Sequence, residues 1–188
     1  MSFPFDTKFS IALPYDDFLQ TYGSEQDRRR WHAVSEKIQL QPGQIELLQG
    51  FRRELRVLCL AGAWCGDCVE QCPVLHRFAA ETDRIDLRFM DRDQDPELAA
   101  EMQLAGAARV PQVVFLSEEG AVVGRFGDRT LSRYRQMGRD LSGAACSTGI
   151  VSDSDTTFDG VIQDWLNEFE RVQWILRTSP RLRQIHGD

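Results

Sequence analysis

Two cysteines separated by two residues, Cys65 and Cys68, are the side chains in this sequence best placed to do chemistry. They follow an apolar run that begins at Leu55 and is short enough for a buried strand. A helical pattern comes next, so we expect Cys65 at the start of a helix. The unpaired N–H groups and the positive dipole end of a helix N-terminus favour a thiolate. We therefore expect Cys65 to ionise more readily than a free cysteine, whose pKa is about 8.5.

The spacing of this pair suits thiol–disulfide exchange. Cys68 lies one helical turn beyond Cys65, where we expect it to be shielded and close by. An exposed thiol can attack a substrate disulfide, and a covered neighbour can then release the product by closing a small disulfide ring. The residues thus predict Cys65 as the attacking thiol and Cys68 as the resolving thiol.

Length and composition predict one domain with added terminal segments. A chain of 188 residues with 42% hydrophobic content can bury one sizeable core. We divide it into an N-terminal helical extension (1–54), a core (55–142), a flexible loop (143–157), and a C-terminal amphipathic helix with a tail that packs on the core (158–188). The formal charge of −7 argues against a phosphate-binding surface, so nucleic acid is not an expected partner.

Cysteine usage and the apolar runs predict a reducing compartment. The chain has five cysteines, and its start, Met1 to Asp6, lacks the basic flank and apolar region of a secretory signal. No run approaches the roughly 18 to 20 apolar residues that a membrane span needs. We expect a soluble, cytoplasmic protein without a membrane partner, in which a cysteine pair serves redox or metal chemistry.

Hydrophobic periodicity places the remaining elements. Helical patterns cover 13–40, 44–51, 69–80, 97–104, 130–141 and 158–176. Strand patterns cover 85–90, 113–116 and 121–126, the last two around a Gly-containing turn that predicts an antiparallel hairpin. Ser24 with Asp27, and Asp95 before Pro96, are expected helix N-caps, and Pro73 is expected to kink its helix near Val69.

Three features in this order resemble the thioredoxin family. The motif resembles the family's Trp-Cys-Gly-Pro-Cys sequence and consists of Trp64, Cys65, Gly66, Asp67 and Cys68. Pro73 resembles the proline that kinks the active-site helix, and Val110–Pro111 resembles the family's cis-proline dipeptide. The order of elements from Leu55 to about Leu141 is also similar to the thioredoxin fold.

The resemblance implies an α/β, thioredoxin-like fold, with a central mixed sheet flanked by helices, and a thiol–disulfide oxidoreductase. It implies that Cys65 forms a mixed disulfide that Cys68 resolves, and that the backbone of Val110, beside Pro111, binds an extended substrate segment. Trp64, Gly66 and Asp67 would complete the active-site motif. The implied partners are a disulfide-containing protein or a small-molecule thiol substrate, with an unidentified electron donor, and no cofactor is implied.

The sequence also departs from the family pattern. Cys59 stands where the family has a buried acid, Phe89 stands in place of its companion lysine, and Asp67 replaces the motif proline. The acid and lysine assist proton transfer at the resolving cysteine in the family. Their replacement leaves open a second interpretation, a non-catalytic redox-sensing or protein-binding module with the same fold.

The other cysteines suggest packing rather than metal binding. Cys68 and His76 would lie about 12 Å apart along a helix, too far to share one zinc ion with bonds of roughly 2.0 to 2.3 Å, so we expect no metal. A Cys-ligated metal or iron–sulfur site remains as a third interpretation. We expect Cys72 to be a packed residue, with a regulatory thiol as the alternative, Cys59 to be inert in the core, and Cys146 to be an accessible but non-catalytic thiol.

Overall fold

The computed structural model describes residues 3–142 and 157–187 of the chain. The helices within these ranges are α1 (Phe5–Ile11), α2 (Tyr15–Tyr22), α3 (Glu25–Ser35), α4 (Pro42–Gln49), α5 (Gly66–Ala80), α6 (Pro96–Glu101), α7 (Leu131–Ser142), α8 (Thr157–Thr178) and α9 (Pro180–His186). The strands are β1 (Leu55–Ala61), β2 (Ile85–Asp91), β3 (Gln112–Leu116) and β4 (Val122–Gly127). Cys146 and the loop predicted from 143 onward lie outside the described residues.

The strands form a mixed sheet in the order β2-β1-β3-β4. β1 pairs in parallel with β2 and antiparallel with β3, and β3 and β4 form the predicted antiparallel hairpin. Parallel pairing requires a crossover, and α5 provides it between β1 and β2. β1 and β3 are apolar and buried almost throughout, as expected for the central strands of a covered sheet. The predicted α/β class with a central mixed sheet is confirmed.

Two of the N-terminal helices, α2 and α3, cover the β2 side of the sheet. Ser24 and Asp27 form the predicted capping box that starts α3. From α2 and α3, the buried rings of Phe18 and Trp31 pack against Phe89 of β2, with ring centroids 5.4 and 6.4 Å from it. Before α2, Leu13 forms a backbone bridge to Phe89, exchanging both hydrogen bonds at 2.9 and 2.7 Å. This segment therefore pairs with the outer edge of β2.

The C-terminal helix α8 covers the other side, packing on α5, β4 and α7. Its predicted apolar face is buried for the most part, including Trp165, Phe169 and Val172. Ile175 is an exception, because it is 40% exposed while the next residue, Leu176, faces the core. A further helix, α9, was not predicted, although Ser179 caps it through the Leu182 N–H. Within the described residues, no helix is long and apolar enough to cross a membrane.

Candidate active site

The Cys65–Cys68 motif lies where β1 ends and α5 begins. Cys65 is the N-cap residue of α5, with an extended backbone conformation (φ −75°, ψ 128°). In the preceding loop, a Cβ added to Gly62 would come within 2.9 Å of the Trp64 indole, so the ring folds back over this glycine. Trp64 is 48% exposed, and the Arg92 guanidinium stacks 4.6 Å from its ring centroid. The loop therefore places a half-buried thiol beside an exposed aromatic ring.

Val110 and Pro111 lie directly opposite Cys65. The Val110–Pro111 peptide bond is cis, and the Cys65 thiol donates to the Val110 carbonyl oxygen at 3.6 Å. Both residues are buried, whereas Cys65 keeps part of its surface accessible. The structure thus brings together two motifs that are 45 residues apart in the chain.

Cys68 is fully buried behind Cys65. The Gly62 N–H points to its sulfur at 3.5 Å, and both Cys65 and Cys72 are hydrogen-bond partners of its thiol. The cysteines within the described ranges are free thiols. An accessible thiol with a covered thiol behind it is the arrangement expected from the spacing of the two cysteines.

The electrostatics of this pair differ from the prediction that Cys65 ionises readily. The hydrogen bond with Cys68, together with burial, raises the pKa of the Cys65 thiol. Burial opposes a charge on Cys68, but hydrogen bonds from the Cys65 and Cys72 thiols and from the Gly62 N–H outweigh it and lower the pKa of Cys68. The two thiols therefore titrate as a unit that loses its first proton easily and its second with difficulty.

Two more cysteines continue inward from Cys68. The Cys59 and Cys72 sulfurs lie 3.9 Å apart, and neither residue is exposed. Cys59 is level with Phe89 on the neighbouring strand, so the two positions where the family has an acid and a lysine do face each other across the sheet. Burial raises the pKa of both the Cys59 and the Cys72 thiols. The space behind Cys68 is therefore filled by uncharged sulfur and an aromatic ring.

The motif acid, Asp67, is held by an arginine from the loop after β4. Arg129 binds it through two parallel hydrogen bonds, Nε to Oδ1 at 3.0 Å and Nη2 to Oδ2 at 2.6 Å. Both side chains are about four-fifths covered, with exposed fractions of 21% and 19%. The guanidinium balances much of the carboxylate charge that would otherwise oppose a thiolate at this helix end.

Two buried tryptophans fix the backbone around the site. Trp31 of α3 donates its indole N–H to the Ala63 carbonyl at 2.8 Å, and the neighbouring Arg30 reaches the Trp64 carbonyl at 3.4 Å. Trp165 of α8 donates to Gln71 Oε1 of α5 at 2.9 Å, between the two helices. Both indoles are fully buried, so their N–H groups need these acceptors.

A buried glutamine of α5 connects α8 to the loop after β4. Gln71 accepts from Trp165 and donates through Nε2 to the Asp128 backbone carbonyl at 2.9 Å. The Asp128 carboxylate in turn accepts from Arg109 at 3.1 Å and from the Tyr134 hydroxyl. Because Arg109 precedes Val110, this network positions the segment opposite Cys65.

The structure does not group His76 with the cysteines. Its ring stacks on Tyr15 at 4.0 Å, and burial lowers the pKa of His76. In the described part of the chain, the side chains close enough to share a metal ion are Glu118, Glu119 and His186. This group joins the β3–β4 turn to α9, with His186 3.1 Å from Glu118, and it contains none of the cysteines.

Several residues around the site were not identified from the sequence. Arg92 could have been, because it follows β2, and the carboxyl ends of two parallel neighbouring strands lie at the same edge of a sheet. Arg129 and Gln71 gave no local signal, since their partners lie 62 and 57 residues away in the chain. The Trp31 contact with Ala63 is likewise long-range, although the helical pattern did mark Trp31 as a core residue.

Two of the solved structures that match this chain share its overall fold. A protein of unknown function from Pseudomonas aeruginosa has a TM-score of 0.72 at 20% identity, over 90% of this chain and 99% of its own. An HIV epitope scaffold has a TM-score of 0.69 at 20% identity, over the same shares of the two chains. Thioredoxin from Fasciola hepatica is 26% identical over 49% of this chain and 85% of its own, with a TM-score of 0.36. No curated protein matches this chain significantly.

A family model described as thioredoxin matches residues 12–138. The match includes the strands, the Cys65–Cys68 motif and Val110–Pro111. It also begins well before β1, so α2, α3 and α4 belong to the matched region, whereas the sequence resemblance was drawn from Leu55 onward. Since the match covers most of the chain, this protein is a member of the thioredoxin family.

Proposed function

We propose that this protein is a thiol–disulfide oxidoreductase that uses Cys65 as its nucleophile and Cys68 as its resolving thiol. One observation carries the proposal: an accessible thiol at the N-cap of α5 faces the Val110 carbonyl across 3.6 Å, with a buried free thiol behind it. A substrate disulfide that enters between Cys65 and Val110 meets the accessible sulfur first. Cys68 has no exposed surface and can attack only a disulfide already formed on Cys65.

The shared proton of the pair supports these roles. The first ionisation is favoured and places the charge mainly on Cys68, because the pKa of Cys68 is lowered and that of Cys65 is raised. Transfer of the Cys65 proton to Cys68 moves the charge to the accessible sulfur. When the charge lies on Cys65, that sulfur attacks the substrate, and one substrate sulfur leaves as a thiolate. Cys68 then attacks Cys65, which releases the second substrate sulfur and closes the Cys65–Cys68 disulfide. An external electron donor must reduce this disulfide to complete the cycle.

The proposed substrate is a protein disulfide or a small-molecule disulfide, and the proposed setting is the cytoplasm. Trp64 and Arg92 form an exposed rim beside Cys65 that a substrate would contact on entry. The described cysteines are free thiols, as the mechanism requires, and a reducing compartment would keep them so.

The test is reduction of insulin disulfides with dithiothreitol as electron donor. We expect the wild-type protein to accelerate the reaction, Cys65→Ser to abolish the acceleration, and Cys68→Ser to accumulate a mixed disulfide at Cys65. Cys146→Ser is the matched control, since it removes a thiol outside the motif and should retain activity. Equal rates for the wild type and Cys65→Ser would contradict the proposal.

A second candidate, a redox sensor, is favoured by the surroundings of Cys68. Within the described residues, the side chains that hydrogen-bond to Cys68 are the thiols of Cys65 and Cys72, and no carboxylate is among them. Without a nearby base, resolution of a mixed disulfide would be slow. A well-defined Cys65–Cys68 reduction potential combined with negligible insulin turnover would favour the sensor over the oxidoreductase.

A further inference from the structure

The buried sulfurs behind the motif are arranged as a second pair. Cys72 lies one helical turn beyond Cys68 on α5, and the Cys59 and Cys72 sulfurs are 3.9 Å apart. The thiols thus follow one another from the accessible Cys65, through Cys68 and Cys72, to Cys59 in β1. Both inner residues are fully buried and free. Two thiols in contact are what a disulfide requires, whereas packing alone would be satisfied by any small apolar side chain.

We propose that Cys59 and Cys72 form a second dithiol, which takes over the disulfide formed at Cys65 and Cys68. The proposal rests on the proposed function, because the outer pair supplies the disulfide. The inner dithiol would store two electrons in each protein molecule, in addition to the two that Cys65 and Cys68 store. The inner pair would become oxidised when oxidised substrate outlasts the electron donor.

The exchange is balanced in atoms and electrons. Cys72 bonds to Cys68 as the Cys65–Cys68 bond breaks, and Cys65 leaves as a thiolate. Cys59 then bonds to Cys72 as the Cys68–Cys72 bond breaks, and Cys68 leaves as a thiolate. The protons lost by Cys72 and Cys59 equal those taken up by Cys65 and Cys68. The inner pair is oxidised by two electrons, and the outer pair is reduced by the same two.

Helix geometry determines where the disulfide comes to rest. Cys68 and Cys72 are four residues apart on α5, where Cβ atoms lie about 5 to 6 Å apart, beyond the roughly 3.5 to 4.5 Å of a settled disulfide. A Cys68–Cys72 bond is therefore a transient intermediate. Cys59 is on a strand and Cys72 on a helix, so no helical spacing separates them. Their sulfurs need to approach by only about 2 Å to reach bonding distance.

Because Cys59 and Cys72 are buried, we expect them to be oxidised only through Cys68. Neither thiol is exposed, so an oxidant in solution cannot reach it without opening the core. Burial also raises the pKa of both thiols, which keeps them protonated and slow to react by themselves. Oxidation of the inner pair should therefore depend on Cys68 and should be slower than turnover at Cys65.

The experiment measures the intact mass of the folded Cys146→Ser protein after treatment with excess oxidised glutathione, quenching with acid and alkylation of remaining thiols. We expect an early species with one disulfide, which carries two alkyl groups, and a later species with two disulfides, which carries none and is about 4 Da lighter than the untreated protein. Fragmentation of the early species should locate the bond between Cys65 and Cys68. A final state that retains two alkylated thiols at Cys59 and Cys72 would overturn the proposal.

Variants separate this proposal from the proposed function. Cys59→Ala and Cys72→Ala, each checked for native folding by circular dichroism, should stop at one disulfide. Cys59→Ala should also keep its insulin activity, because Cys59 contacts Cys72 and not the outer pair. A variant that combines Cys65→Ser and Cys68→Ser should oxidise the inner pair at least about tenfold more slowly, because direct access is blocked. Unchanged inner oxidation in that variant would overturn the relay alone. No disulfide at Cys65–Cys68 in the wild type would overturn both proposals.

Discussion

Trp31 and Trp165 hold the candidate active site from two different helices, α3 and α8, which both pack on α5. Both are fully buried and both donate an indole N–H to a group near the cysteines. Trp31, on α3, bonds to the backbone of Ala63 in the loop that carries Cys65. Trp165, on α8, bonds to the Gln71 side chain inside α5. One tryptophan therefore fixes the loop before the nucleophile, and the other fixes the helix after it.

The hydrogen bonds of Trp31 and Trp165 are expected to affect different properties of the protein. The Trp31 acceptor is two residues before Cys65, so this hydrogen bond bears directly on the position of the reactive sulfur. Trp165 acts through Gln71 on the Asp128 carbonyl, which stabilises the loop after β4. We expect the N-terminal contact to matter for chemistry and stability, and the C-terminal contact to matter mainly for stability.

The largest effect is expected from truncating either indole. Trp31→Ala and Trp165→Ala should each lower the free energy of unfolding by about 3 to 5 kcal/mol, because each leaves a large cavity in the core. Urea unfolding followed by circular dichroism measures both. Trp174→Ala is the matched control, since Trp174 lies on α8 but is 53% exposed and should change stability by less than about 1 kcal/mol. A loss below about 1 kcal/mol for Trp31→Ala would show that α3 does not anchor the loop.

A smaller change separates the two tryptophans. Trp31→Phe and Trp165→Phe keep most of the apolar volume and should each cost about 1 to 3 kcal/mol, because each leaves one buried acceptor unpaired. Alkylation of Cys65 by iodoacetamide should change about three- to tenfold in Trp31→Phe, whose loop is released. It should stay within about twofold in Trp165→Phe. Equal effects on alkylation would remove the distinction between the two contacts.

The smallest effect is expected from breaking the pair between Arg129, in the loop after β4, and Asp67, in the cysteine motif. Arg129→Gln removes the two hydrogen bonds to Asp67 and should cost about 1 to 2 kcal/mol of stability. It also removes a positive charge and leaves the Asp67 carboxylate unbalanced, so the pKa of the first ionisation of the cysteine pair should rise.

Thiolate absorbance at 240 nm, followed as pH increases, measures this shift. The titration of Arg129→Gln should move to higher pH by up to about one unit, which corresponds to 1.36 kcal/mol. Arg133→Gln is the matched control, because Arg133 pairs with Glu70 and not with the motif acid. A downward shift in Arg129→Gln would mean that the arginine does not support the thiolate.

Local sequence signals predicted the elements well where the partner groups are close in the chain. The capping box of Ser24 and Asp27 and the Asp95 cap of α6 are confirmed, because each is completed within three residues. The hairpin of β3 and β4 is also confirmed, because a short turn joins the two strands. α6 ends at Glu101, short of the predicted Leu104, and the chain then turns through Ala105 and Gly106, both with positive φ.

The parts that sequence reasoning missed depend on groups far apart in the chain. α1 and α9 are seven residues each, too short for a periodic pattern to stand out. The pKa of Cys65 is raised by its hydrogen bond with Cys68 and by burial. The pKa of Cys68 is lowered, against burial, by hydrogen bonds from Cys65, Cys72 and Gly62. The helix dipole, the one effect that the sequence indicates, does not decide either direction. The proximity of Cys59 to Cys72 required the packing of β1 on α5, which spacing within either element cannot reveal.

The bridge between Leu13 and Phe89 also covers part of an open sheet edge. β2 is the outermost strand on its side, and an open strand edge is a template for pairing with another molecule. Leu13 occupies the backbone donor and acceptor at the middle of that edge. Removing the first thirteen residues would free these groups, so a shortened protein should form oligomers more readily than the full chain.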